Sequence, residues 1–226
     1  MRSGLSRRTF IAGSVAASLS AASARRVLGA NDRIRLGIIG TGSRGLYLMR
    51  QTNKLGGIEW VAVCDAWDVR RNQAAEVAGR EVAKYPDYRK LLDHKDVDGV
   101  FVATFDHLHS RMTADACYAG KDVYVEKPMT SLPMQGHEVV KAVRQTKRIV
   151  QVGVQQRSMA NFIEAKQKLI DSGLIGSVHM VRTFWNANGG YLTPVPPGME
   201  QKPPGLDWDA CLGWLRKIPW DPKRYF

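Results

Sequence analysis

The chain has 226 residues, with 33 basic against 21 acidic side chains, a formal charge of +12 and three cysteines. Five of the positive charges, Arg2, Arg7, Arg8, Arg25 and Arg26, fall in residues 1–30, which carry no acid; the remaining 28 basic and 21 acidic residues leave +7. Basic residues are not interleaved with aromatics, and Cys64, Cys117 and Cys211 show no CxxC spacing, which speaks against a nucleic-acid platform, a disulfide scaffold and a cysteine metal site.

The first thirty residues form a unit of their own. Ser6-Arg7-Arg8-Thr9-Phe10-Ile11 leads into the apolar, small-residue stretch Ile11 to Ala22, and Ala22-Ser23-Ala24 offers an A-x-A cleavage site. The apolar run is too short to cross a bilayer of ~30 Å, so residues 1–30 read as a targeting segment and not a membrane anchor. The paired arginines match the twin-arginine pattern, whose route exports folded proteins, and they predict an exported or periplasmic location. A Sec signal is the alternative.

The apolar run ending at Ile39 predicts the first strand, Arg33–Ile39, and Gly40-Thr41-Gly42-Ser43-Arg44-Gly45 follows it directly. Gly40 permits the tight turn out of the strand, Gly42 lets backbone approach a pyrophosphate, and Gly45 lets the next helix, Gly45–Lys54, pack close to the strand. The N–H groups at that helix start face the phosphates. Asp65 closes the second strand, Ile58–Asp65, twenty residues beyond Gly45. Its carboxylate can accept two hydrogen bonds from an adenosine ribose and repels a 2′-phosphate, which predicts NAD over NADP. Arg70 and Arg71, a few residues later, could offset that repulsion but read as a solvated helix face, and Arg44 as the better partner for a phosphate.

Alternation continues. A helix is expected over Val69–Val82, then the short Tyr85-Pro86-Asp87-Tyr88 segment and a helical turn through Leu92. Gly99–Thr104 is an apolar strand, and His109–Ala119 a helix ended by Gly120. Asp122–Val125, Pro133–Lys147 and Ile149–Val154 read as strand, helix and strand. Continuous apolar strands separated by helices mean a parallel sheet covered on both faces, so residues 31–150 are expected to form an α/β domain, a doubly wound Rossmann fold. Lys141, Arg144, Lys147 and Arg148 are the solvated face of one helix. Beyond it, Asn161–Ser172 reads as an amphipathic helix and Ser177–Trp185 as a strand with one buried face. Gly189-Gly190 and the stretch carrying Pro194, Pro196, Pro197, Pro203 and Pro204 read as a surface loop. Residues 151–226 are therefore expected to be the incomplete start of an α+β substrate and oligomerisation domain, because one strand does not make a stable sheet.

Thr104-Phe105-Asp106-His107-Leu108-His109, followed by Gly120-Lys121-Asp122-Val123-Tyr124-Val125-Glu126-Lys127-Pro128, resembles the glucose–fructose oxidoreductase / inositol dehydrogenase (Gfo/Idh/MocA) family. The resemblance covers residues 33 to about 185, and Leu206-Asp207-Trp208-Asp209 with Trp214 and Pro222 extends it. It implies that Gly40, Gly42, Ser43, Arg44 and Asp65 meet the pyrophosphate and adenosine. It implies that Thr104, Asp106 and His109 line the cofactor cleft, that Glu126 and Lys127 lie beside the nicotinamide ribose and ring, and that Gln155 lies near the carboxamide. Phe105 stands where the family often has proline, and Asp106 where it often has asparagine.

The family places an aspartate–histidine acid/base pair in its second domain; here no Asp-x-x-x-His occurs after Asp207 and no histidine follows His179. His179 reads as a sheet-surface residue, His94 and His137 as surface helix residues, and His107 and His109 as cofactor or structural residues. Lys127 remains as the candidate catalytic group. Removing hydride from a CH–OH carbon needs a base or electrostatic relay at the hydroxyl. A partly buried lysine near a cationic nicotinamide has a lowered pKa, because desolvation and like charge both oppose its protonation. The expected activity is therefore NAD-dependent oxidation of a small sugar or polyol, in a protein that the resemblance implies to be a homo-oligomer. An NAD-dependent glycosidase using transient sugar oxidation and a non-catalytic dinucleotide-binding fragment are the alternatives.

Overall fold

In a computed structural model, residues 33–184 and 194–226 are described, so the twin-arginine segment, Trp185 and Gly189-Gly190 lie outside the described residues. Six parallel strands run β1 Ile34–Ile39, β2 Ile58–Cys64, β3 Ala83–Tyr85, β4 Gly99–Val102, β5 Asp122–Glu126 and β6 Val150–Gly153. Their order across the sheet is β3-β2-β1-β4-β5-β6, the doubly wound order that reverses direction between β1 and β4. Helices α1 Ser43–Thr52, α2 Asp68–Ala78, α3 Tyr88–Leu92, α4 Asp106–Tyr118 and α5 Pro133–Thr146 connect them.

The buried centres of the strands are apolar because both faces of the sheet are covered there. Successive side chains point to opposite faces, so Ile38 joins Met49, Trp60 and Val63 on one side of the sheet. Ile39 joins Val102, Leu108, Met112 and Val125 on the other. Each such buried side chain contributes about 1.5–3 kcal/mol. At the carboxyl edge Ile39 pairs with Cys64 and Val102, and Val102 with Val125, which brings the ends of β1, β2, β4 and β5 level along one rim.

The expected elements recur with small shifts at their ends. The helix expected over Val69–Val82 stops at Ala78, because Gly79 takes the left-handed conformation (φ 70°) and closes it. Helix α4 starts three residues earlier than expected, at Asp106, and β3 was not expected as a strand.

Larger differences follow Val154. Gln155–Ser158 forms a 3-10 turn, and the expected helix is divided into α6, Ala160–Ala165, and a π-helical turn, Lys166–Asp171. Residues 177–184 of the expected strand form no ladder, and Val178, Met180, Val181 and Phe184 are exposed. A strand needs a partner for its backbone groups, and none of the described residues supplies one. Residues 206–226, by contrast, fold back on the Rossmann unit through α7, Trp208–Leu212, and α8, Pro222–Tyr225. Leu206, Trp208, Leu212 and Tyr225 form a third cluster against Ala66, Trp67 and Phe105.

Candidate dinucleotide-binding site

The candidate crevice lies at the carboxyl rim, between the turns that leave the neighbouring strands β1 and β4 in opposite directions. Gly40 has φ 89°, and a Cβ there would lie 2.6 Å from the Ala103 carbonyl carbon, so the turn out of β1 fits only glycine. A Cβ on Gly45 would run into the Gly40 carbonyl oxygen. Gly42 is the N-cap of α1 and no side chain caps that helix, which leaves its first N–H groups available to an anion. Ser43 is the exposed first residue of α1.

Asp65 sits at the end of β2. Its Oδ2 accepts from the Thr41 N–H at 2.7 Å and from Thr41 Oγ1 at 3.2 Å, and its Oδ1 accepts from the Trp67 N–H at 2.9 Å. Three of about four acceptor positions on the carboxylate thus brace the glycine turn and the following loop. One further position, not two, is open to a ribose hydroxyl unless the long Thr41 Oγ1 bond is displaced. Thr41, fully buried, is a site residue that the sequence reading passed over. The uncapped helix start, the glycine cradle and the remaining acceptor on Asp65 together fit a dinucleotide.

Arg44 does something other than expected. Its Nε and Nη2 donate to Glu126 Oε1 at 2.8 and 2.6 Å, and its guanidinium lies 5.2 Å from the Tyr47 ring centroid. Glu126 is only 4% exposed, so the guanidinium answers a buried carboxylate first, through Nε and Nη2, and keeps Nη1 for a further partner. The Tyr124 hydroxyl also reaches Glu126 Oε1, and Glu126 Oε2 accepts from the Lys127 N–H at 3.2 Å. Lys127 lies just beyond β5, where the peptide to Pro128 is cis, and it is exposed, not partly buried as the sequence reading has it.

His109 is 1% exposed and spans two loops of the rim: Nδ1 lies 2.8 Å from the Pro128 carbonyl oxygen and Nε2 3.1 Å from that of Thr104. With both nitrogens facing backbone carbonyls, to one of which a neutral imidazole donates, the buried His109 is a strut between the ends of β4 and β5. Thr104 is half-buried at the rim, Asp106 is exposed in the first turn of α4, and Gln155 is exposed in the turn after β6. His107 Nε2 lies 3.0 Å from the Cys211 carbonyl oxygen, and its own carbonyl accepts from Trp214 Nε1 at 2.6 Å, a structural role. Burial holds the His107 imidazole below its ordinary value, against the opposing pull of the Cys211 and Leu212 carbonyls. Among the described residues no group of acidic, histidine or cysteine side chains could hold a metal ion, and no helix is long and apolar enough to cross a membrane.

The family model for the Gfo/Idh/MocA oxidoreductases, described as an oxidoreductase family with an NAD-binding Rossmann fold, matches residues 34–154. An inositol 2-dehydrogenase of Salmonella paratyphi B is 34% identical over 190 residues, 83% of this chain and 54% of that relative. An inositol 2-dehydrogenase/D-chiro-inositol 3-dehydrogenase of Lacticaseibacillus casei is 37% identical over 155 residues, 66% of this chain and 43% of that relative. The crystal structure of myo-inositol dehydrogenase from Lactobacillus casei in complex with NAD(H) and myo-inositol superposes with a TM-score of 0.60 at 32% identity, over 64% of this chain and 43% of that one. The chain spans about half the length of the curated relatives it matches.

Proposed function

The chain belongs to the Gfo/Idh/MocA oxidoreductase family, and from that premise we propose that it acts as an NAD-dependent dehydrogenase on a CH–OH group of a sugar or polyol. Inositols are the first substrates to try, given the relatives it resembles. One observation carries the reading: Glu126-Lys127 at the end of β5 is tied through Arg44 to the same turn that offers the uncapped helix start. Nucleotide-binding and proton-handling groups therefore share one rim.

Bound NAD supplies the hydride acceptor. The N–H groups of α1 and the cradle at Gly42 would hold its pyrophosphate, and Asp65 would take a ribose hydroxyl. Glu126, fixed by Arg44, sets the backbone at Lys127. In its amine form Lys127 Nζ receives the proton of the substrate hydroxyl. The experiment incubates the protein with NAD and a panel of inositols and aldoses and follows NADH absorbance. Lys127→Met is expected to leave NADH binding within about twofold while turnover falls by about 100-fold or more. Turnover that survives Lys127→Met would take this lysine out of the chemistry, and failure to bind NAD would overturn the reading as a whole.

Three further readings are proposals. Residues 1–30 act as a twin-arginine export signal, supported by Arg7-Arg8 ahead of Ile11–Ala22. Changing both arginines to lysine should retain the precursor inside the cell, whereas undiminished export would favour the Sec route. Residues 151–226 are the incomplete start of an α+β substrate domain, a reading supported by the exposed Phe162, Ile163, Leu169 and Ile170 on its first helical stretch, whereas residues 206–226 pack on the Rossmann unit. The whole protein is a homo-oligomer, which sedimentation velocity tests.

A further inference from the structure

Arg70 was expected to be solvated. Instead its guanidinium carbon lies 5.0 Å from the Tyr225 ring centroid and 5.7 Å from that of Trp67, in cation–π contact with both. A Cβ built on Gly42 would lie 3.1 Å from Arg70 Nη1 and 3.6 Å from its Cζ. The guanidinium therefore hangs over the glycine whose bareness makes room for a phosphate. Among the described residues it makes no hydrogen bond and no ion pair, so aromatic faces alone fix its position. An arginine held this way presents its N–H edge, and a guanidinium edge is matched to the oxygens of a phosphate.

The second ring comes from far along the chain. Tyr225 is held between Trp67, at 6.2 Å, and Phe105, at 5.7 Å, so it joins the loops after β2 and β4. Its segment is fastened by backbone bonds from Asp68 N–H to the Gly205 carbonyl and from Asp207 N–H to the Ala66 carbonyl. Residues 206–226 thus lie beside the loops after β2 and β4, on the Arg70 side of the glycine turn.

We propose that Arg70 is a phosphate-binding residue of the adenosine subsite and that Tyr225 is the positioning residue that aims it. The proposal rests on the dinucleotide-binding reading of the same crevice. The phosphate is either the bridging pyrophosphate, present in every dinucleotide, or a 2′-phosphate. In the second case the site accepts NADP as well as NAD, because the charge of Arg70 offsets that of a carboxylate already braced by three donors.

The test titrates the chain with NADH and NADPH by fluorescence, for the parent and for Arg70→Gln, Tyr225→Leu, Tyr225→Phe and the double variant Arg70→Gln/Tyr225→Leu. Arg70→Gln is expected to weaken binding by about tenfold, the loss of one charge-assisted contact. A loss shared by both nucleotides assigns the pyrophosphate, and a loss confined to NADPH assigns the 2′-phosphate. Tyr225→Phe keeps the ring and should match the parent. Tyr225→Leu should weaken the same nucleotide as Arg70→Gln does, and should add nothing on the Arg70→Gln background. Affinities unchanged in Arg70→Gln overturn the role of Arg70. Tighter binding in Tyr225→Leu, or an equal loss on both backgrounds, overturns the role of Tyr225. A parent chain that binds neither nucleotide overturns the dinucleotide reading and this proposal together, whereas binding indifferent to Arg70 overturns this proposal alone.

Discussion

Arg44 and Glu126, 82 residues apart in sequence, meet through two hydrogen bonds on a single oxygen, Oε1, at 2.8 and 2.6 Å. The pair closes the floor of the crevice by tying the first turn of α1 to the end of β5. Its partners are unequally buried, with 37% of the Arg44 side chain exposed but only 5% of that of Glu126. Removing the arginine therefore leaves a buried carboxylate with the Tyr124 hydroxyl and the Lys127 N–H as its remaining donors. Arg44→Met is expected to cost about 1–3 kcal/mol in urea unfolding, and Arg44→Met/Glu126→Leu to recover part of that loss, because no unpaired charge remains. A single variant as stable as the parent would show that the pair contributes nothing to the fold.

The two glycines of the turn separate folding from binding. A Cβ on Gly45 meets the Gly40 backbone, which cannot yield without moving β1, so Gly45→Ala should lower stability by several kcal/mol, roughly the scale of severe overpacking. A Cβ on Gly42 meets only the far end of Arg70, a flexible group. Gly42→Ala should therefore unfold within about 0.5 kcal/mol of the parent while losing dinucleotide affinity, because the methyl group takes the space a phosphate needs. Equal stability losses in the two variants would contradict this division.

The Rossmann unit was legible because its signals are local. Runs such as Val100–Val102 and Val123–Val125 are apolar on both faces, which only a doubly covered strand requires, and Gly40-Thr41-Gly42-Ser43-Arg44-Gly45 directly follows β1. What escaped are relationships between distant residues that leave no period in the chain. Nothing near Arg44 indicates a carboxylate at position 126, and nothing near Arg70 indicates a ring at position 225. Exposed arginines are common, so a solvated face was the economical reading of Arg70, and tertiary contact overrode it. The alternation over Ser177–Trp185 shows the limit of pattern in the other direction: period two marks a strand that would have a buried face, but a ladder forms only where another strand stands beside it.

The three cysteines report on integrity. Burial pushes the Cys211 thiol up to about 12, with Asp65 next in effect, and burial likewise raises Cys64 and Cys117. The fold therefore holds these thiols protonated, while an unfolded thiol ionises near 9.0. The stability this confers is fully present below that value and is lost as pH rises toward the folded value. The urea midpoint is expected to fall as pH rises above about 9 toward about 12, and the fall should be shallower in Cys211→Ala. Thiol reagents should label the native chain slowly at neutral pH and rapidly in denaturant. Prompt labelling of the native chain would show that the thiols are not sequestered.

Asp65 gives the sharpest test of how specificity is built. A carboxylate acting only on the ribose predicts a simple exchange, in which Asp65→Ala loses NADH affinity and gains NADPH affinity. The observed bonds argue otherwise, since Asp65 holds the Thr41 N–H at 2.7 Å and the Trp67 N–H at 2.9 Å, and so sets the shape of the turn that meets the phosphates. Its removal should loosen that turn for both nucleotides, lowering both affinities by about tenfold and stability by about 1–2 kcal/mol. Asp65→Asn supplies one amide oxygen for one of the two N–H groups and turns a donor toward the other, so its losses should fall between those of the parent and Asp65→Ala. Paired titrations and urea curves on the three proteins decide the matter. Tighter NADPH binding by Asp65→Ala at unchanged stability would mean that the braces seen here do not govern the turn and that charge repulsion alone selects the nucleotide.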